Sequence, residues 1–168
     1  MQMLNRYFTP FALILILSAI YFSQPDPRDY KLSLLILLSS ILVNWWLSKN
    51  IYRIPRLARH IRKIQVWINF VWAVPLFYLL QPYWGPMWLL FVMAPVTAAL
   101  YFTFWQTCLT STFVSATMLA IYWKRGVFDG GPAAGMAFVE AAFIVIFSLF
   151  VHGLAQAALR LRDANISR

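Results

Sequence analysis

Apolar runs long enough to cross a lipid bilayer follow one another almost without pause in this chain, and no other feature restricts its fold as strongly. A hydrocarbon layer ~30 Å thick takes ~20 apolar residues of helix, and without water every backbone N–H and C=O must be paired inside the spanning segment. Turn and charge signals divide the runs into about six candidate spans, at about 8–24, 31–48, 66–81, 87–105, 107–123 and 134–157. "QPDPR" closes the first and "QPYWGP" the third, because proline brings no N–H and clashes with the preceding turn. Only "FWQT" separates the fourth from the fifth, and about 36 apolar residues exceed one crossing, so a tight helical hairpin is predicted there. "DGGPAAG" opens the sixth. The expected fold is all-α: a polytopic integral membrane protein, one transmembrane domain over residues 1–168 formed by a bundle of about six transmembrane helices.

Composition agrees, with 62% hydrophobic, 18% aromatic and 11% charged residues, which is not the make-up of a soluble domain. The net charge of +9 would suit a polyanion if it covered a soluble surface, but it is confined to short segments between apolar runs. A single cysteine, Cys108, leaves no intrachain disulfide, Cys-based zinc cluster or CxxC redox pair to build. The first run ends in "YFSQPDPRDYK" without a small-x-small site, so no cleavable signal peptide is expected.

The stretch "KNIYRIPRLARHIRKIQ", residues 49–65, holds six Lys/Arg and no acidic residue. With six spans and a cytoplasmic N-terminus, ten Lys/Arg lie inside and four outside, as the positive-inside rule requires. The run is therefore first a topogenic signal, a basic cytoplasmic loop with both termini on the same side. Ile54, Leu57, Ile61 and Ile64 recur at helical spacing while Arg53, Arg56, Arg59, Arg62 and Lys63 fill the remaining arc, which predicts an amphipathic helix at the inner surface. Those five cations are the candidate contacts for anionic lipid head groups, or for a docking protein. Nucleic acid is not an expected partner: the loop has neither a reader fold nor interleaved stacking aromatics.

Polar side chains at membrane depth are costly unless paired or hydrated, so Asn44, Asn69, Glu140 and His152 are the intramembrane candidates. Glu140 and His152 share the sixth span but are twelve residues apart, ~18 Å along a helix, and cannot touch. Glu140 lies near the outer end, where water, Lys124 or Arg125 can meet it; a ligand or proton role is the alternative. His152, among the small residues of "FVHGLAQAA", reads as a hydrogen-bonded interface residue, with a haem or pigment ligand as the other reading. Asn44 and Asn69 flank the basic loop and suit bonds to a neighbouring helix. In "TCLTSTFVSATM", Thr107, Ser111 and Ser115 stand at four-residue spacing, which lets another helix approach closely. Pro75 and Pro95 interrupt the third and fourth spans, and Trp45, Trp46, Trp84, Trp88, Trp105 and Trp123 suit interfacial anchors. No phosphate loop, GxSxG or useful carboxylate pair occurs, so no catalytic residue, metal site or cofactor is predicted and the chain is read as a non-enzyme.

The order "NWWLSKNIYRIPRLARHIRKIQVWINFVW", then "QPYWGPMWLLFVMAPVTAALYFTFWQTCLTSTFVSATMLAIYW", then a last span running into "ALRLRDANISR" resembles the six-helix membrane input region of PilS-like bacterial sensor histidine kinases. The matching elements are the basic loop Arg53 to Lys63, Leu89 to Leu100 with Pro95, and Leu154 to Asn165. The resemblance implies residence in the bacterial inner (cytoplasmic) membrane and a final helix that continues into a cytoplasmic signalling coil. It carries over no catalytic residue, and where that group continues into dimerisation and ATP-binding domains this sequence ends at Arg168. The first functional expectation is a sensor-like signal-coupling module acting through partner proteins. An accessory subunit packed against a larger respiratory or photosynthetic membrane complex is the second, and a small transporter the third. Membrane lipids and other membrane proteins, or further copies of the chain in a homo-oligomer, are the expected partners.

Overall fold

A computed structural model describes residues 2–50, 58–128 and 132–166, and among them the chain is all-α with no strand. The helices are α1 (Gln2–Ser23), α2 (Pro27–Asn50), α3 (Ala58–Leu80), α4 (Leu89–Tyr101), α5 (Phe104–Lys124) and α6 (Pro132–Ile166), with a short 3-10 turn at Gly85–Trp88 before α4. Each boundary has a local cause. α1 stops where Gln24 takes a positive φ of 45° ahead of Pro25. α2 starts on Pro27, whose fixed φ suits a first helical position, with Asp29 in the first turn and Lys49 in the last to complement the helix dipole. α3 ends before Pro82, and Pro86 stands at the start of the 3-10 turn. α4 and α5 are separate helices broken at Phe102–Thr103, where the Thr103 N–H reaches the Gln106 side-chain oxygen at 3.4 Å as α5 begins. At the far end of α5, Gly126 adopts φ 72°, its N–H bonds to the Trp123 carbonyl, and the Val127 N–H bonds to that of Tyr122. That is a Schellman closure, and glycine is the residue it favours.

The helices form two compact units, one reaching to Met93 and one starting at Ala94. In the first, α2 and α3 run antiparallel: Asn44, late in α2, meets Asn69, while Asp29, early in α2, meets Tyr83 just beyond α3. Phe91 stands edge-on to both Phe70 and Phe77, at 6.0 and 4.9 Å between ring centroids, and Phe77, Phe91, Leu80 and Ile16 are fully buried. Phe22 stacks on Trp84 at 5.8 Å and ties the end of α1 to the turn after α3. In the second unit α5 and α6 are antiparallel, with Phe104 beside His152, Ser115 bonded to Ala141, and Tyr122 bonded to Glu140.

Alongside the apolar core, some helices bury hydroxyls while large apolar side chains face outward. On α5 the buried side carries Thr107, Thr110, Ser111 and Ser115, while Trp105, Leu109, Phe113 and Trp123 are exposed. On α2 Ser33 is wholly buried, while Leu35, Leu38, Leu42, Trp45 and Trp46 point outward. Among the described residues one helix, Pro132–Arg162 within α6, is long and apolar enough to cross a membrane; Pro10–Ser23, Val66–Leu80 and Gly85–Tyr101 are apolar but shorter. Only 22% of the most apolar part of that α6 segment is buried, whereas the core helix of a soluble protein is mostly covered.

Candidate functional site

The four polar candidates do not gather at one point; they fall on three helix pairs, with Asn44 and Asn69 sharing one. Asn44 and Asn69 face one another across α2 and α3, with Asn44 Nδ2 donating to Asn69 Oδ1 at a long 3.4 Å. Asn44 Oδ1 is buried without a partner, and both amides border a cavity of about 70 Å³ in the first unit. Such a bond is weak by its length, and the amide keeps an acceptor in reserve.

His152 on α6 is buried, and its Nδ1 lies 2.9 Å from the Ala99 carbonyl oxygen at the end of α4. A carbonyl only accepts, so Nδ1 carries the proton in this bond and the neutral ring keeps its lone pair on Nε2. The ring of Phe104 sits 6.1 Å away. This is how a histidine fixes one helix against the end of another. It is also the orientation in which a ring nitrogen stays available to a ligand.

Glu140 takes a hydrogen bond of 2.6 Å from the Tyr122 hydroxyl, across α5 and α6. Along the same interface, Ser115 Oγ donates to the Ala141 carbonyl at 3.0 Å. Tyr122 was not readable as a site residue in the sequence. Its signal was its place seven residues beyond Ser115, on the side of α5 that Ser111 and Ser115 already mark as inward.

A further polar group lies at the end of the first unit where α1 stops and α2 starts. The Tyr83 hydroxyl is 3.2 Å from Oδ2 of Asp26 and 3.2 Å from Oδ2 of Asp29, and one proton serves only one of them at a time. Reduced hydration, followed by the bond given to Asp29, holds the phenol above its ordinary value of about 10. Sequence reasoning passed over these residues because the acids are local to one turn and the tyrosine comes from another, more than fifty residues on.

Of the basic-loop candidates, Arg53 and Arg56 lie outside the described residues. Arg59, Arg62 and Lys63 stand in the first turns of α3, which runs from Ala58 into the apolar Val66–Leu80 segment without a break; their side chains are likewise outside the described set. At the end of α2, Lys49 Nζ lies 5.2 Å over the Trp45 ring. Among the described residues no three His, Cys, Asp or Glu come together as a metal site would need. No family model matches this chain, and no curated protein or solved structure matches it either.

Proposed function

We propose that the chain is a multi-pass protein of the bacterial inner membrane, with six spans and both ends of the described chain cytoplasmic, which works without catalysis as a sensor-like module coupling its helices to partner proteins. The many large apolar side chains that face outward support the membrane part; on α5 tryptophan, leucine and phenylalanine are exposed while Thr107, Thr110, Ser111 and Ser115 are buried. A soluble surface does not carry so much exposed apolar area, whereas lipid is its ordinary covering. By length alone, α1, α2, α3 and α5, with 22, 24, 23 and 21 residues, reach across the hydrocarbon layer at 1.5 Å per residue. The meeting of Tyr83 with Asp26 and Asp29 brings the turns after α1 and α3 to one end of their unit, as the proposed topology requires.

The observation that carries the coupling part is α6. Its 35 residues make a helix about 50 Å long, against ~30 Å of hydrocarbon, and it continues from an apolar stretch into exposed Arg160 and Arg162. A rigid rod of that length transmits a shift at one end to whatever holds the other. Photo-cross-linking from position 159 or 162 in native membranes, followed by identification of the attached chain, tests the reading. A kinase or cyclase is the expected product. A stoichiometric redox or antenna complex supports instead the accessory-subunit reading, which the outward Trp45, Trp46, Trp105 and Trp123 favour as contact anchors.

A further inference from the structure

Ser33, Leu37, Ser40 and Asn44 recur at spacings of four, three and four, so they share one face of α2. Within the first unit that face meets α1, α3 and the first turns of α4 around the cavity of about 70 Å³. Ile16, Leu37 and Leu76 form part of its aliphatic wall, Ser40, Asn44 and Asn69 form its polar side, and no charged residue lines it. Two polar atoms on this face of α2 are buried without a partner. One is Oδ1 of Asn44; the other is Oγ of Ser33, one turn beyond Leu37 in a residue with no exposure at all. Ser33 does not line the cavity but Asn44 does, and because buried acceptors are normally bonded, an opening bordered by the unmet Asn44 Oδ1 calls for a donor that the helices do not supply.

The size and lining narrow what that donor belongs to. About 70 Å³ exceeds the ~10–15 Å³ that one water needs and is about half the ~150 Å³ that admits benzene. A charged ligand would lose its hydration with no opposite charge to meet it. Water alone would satisfy the amides and leave the aliphatic wall uncovered. We propose that this cavity binds a small uncharged molecule with a hydroxyl group on a short apolar body. The hydroxyl sits against the Asn44–Asn69 pair, where it both donates and accepts, and the body lies along Ile16, Leu37 and Leu76. For what binding does, this rests on the coupling reading above; for binding itself, it rests on the cavity alone.

The test uses the full chain in nanodiscs of phosphatidylethanolamine and phosphatidylglycerol. Two photoprobes are compared: a short-chain diazirine alcohol and the diazirine alkane of equal length. The alcohol is expected to label Ser40, Ile41, Ala73 or Leu76 saturably, about fivefold above the alkane, the ratio that one net hydrogen bond gives. Excess 1-propanol removes the label, and Asn44→Leu combined with Asn69→Leu brings the two probes to parity. Equal, unsaturable labelling by both probes over outward residues such as Leu35, Leu38 and Leu42 overturns the site, and so does a cavity that neither probe enters. The wild-type ratio decides this by itself, whether or not the double variant folds. Failure of the coupling reading looks different. The label then appears as expected, while the chains cross-linked to the end of α6 are the same with and without the alcohol.

Discussion

α5 and α6 meet through short hydrogen bonds that pass from one helix to the other, at 3.0 Å from Ser115 to Ala141 and 2.6 Å from Tyr122 to Glu140. Between α2 and α3 the described residues include a long amide–amide bond of 3.4 Å, beside a cavity and an unmet oxygen. The residue types are alike in polarity, yet one pair is fastened and the other is open. Side-chain size accounts for the difference. Serine on α5 lets the backbones approach until its hydroxyl reaches a carbonyl that cannot move, whereas two asparagines meet tip to tip with small Ser40 and Ala73 beside them. A polar residue buried between these helices therefore acts as glue where its partner is fixed, and Thr107, whose Oγ1 has no partner, shows that even α5 is not bonded throughout.

The comparison breaks most readily at Ser115. Ser115→Leu puts a larger side chain into a buried contact and removes a bond to backbone, which costs about 1–3 kcal/mol for the overpacking and about 1 kcal/mol for the bond. Unfolding of the detergent-solubilised chain by SDS, followed by circular dichroism, measures it. Tyr122→Phe leaves the Glu140 carboxyl without its donor and is expected to cost about 1–2 kcal/mol, with a double-mutant cycle against Glu140→Gln showing that the two effects are coupled. In the open pair the double change Asn44→Leu and Asn69→Leu removes both partners of a weak bond and should shift stability by no more than about 0.5 kcal/mol. If it costs as much as Ser115→Leu, the contrast between the two helix pairs is wrong.

The smallest effect belongs to Tyr83→Phe. Because the folded-state phenol is raised above its ordinary value of about 10, the contribution of its bonds is complete below that value and is lost as pH rises through the folded one. Wild type and Tyr83→Phe should then differ by the same small amount throughout the neutral range and converge only above about pH 10. A phenolate absorbance titration of the two proteins reads this directly, and convergence below pH 9 would contradict it.

The all-α architecture is legible in the residues because its causes are local. Two prolines after Ser23, another after Gln81 and a proline at the start of α6 act on the backbone beside them. The break after α4 is local too, although it falls at Phe102–Thr103, just before the "FWQT" run, which itself opens α5, because Gln106 meets the Thr103 N–H there. The inward side of α5 is readable from Thr107, Ser111 and Ser115, all of which are buried. Partner identity was not readable. Glu140 bonds a tyrosine eighteen residues away on another helix, and His152 bonds a backbone carbonyl fifty-three residues back, which no side-chain pattern marks. The cavity beside Asn44 follows from how four helices approach one another, and pairwise spacing along one helix holds no record of that.

Crossing the membrane several times is the property on which the proposed function of this chain rests, and single-cysteine accessibility in intact cells tests it directly. In a Cys108→Ser background, single cysteines are placed at Gly85, where an added Cβ meets nothing within 4 Å, and at positions 129, 59 and 164. A membrane-impermeant maleimide should modify positions 85 and 129 in intact cells, and positions 59 and 164 only after permeabilisation. Labelling of position 59 from outside, or equal labelling of all four before permeabilisation, would contradict the six-span topology and the functional reading that rests on it.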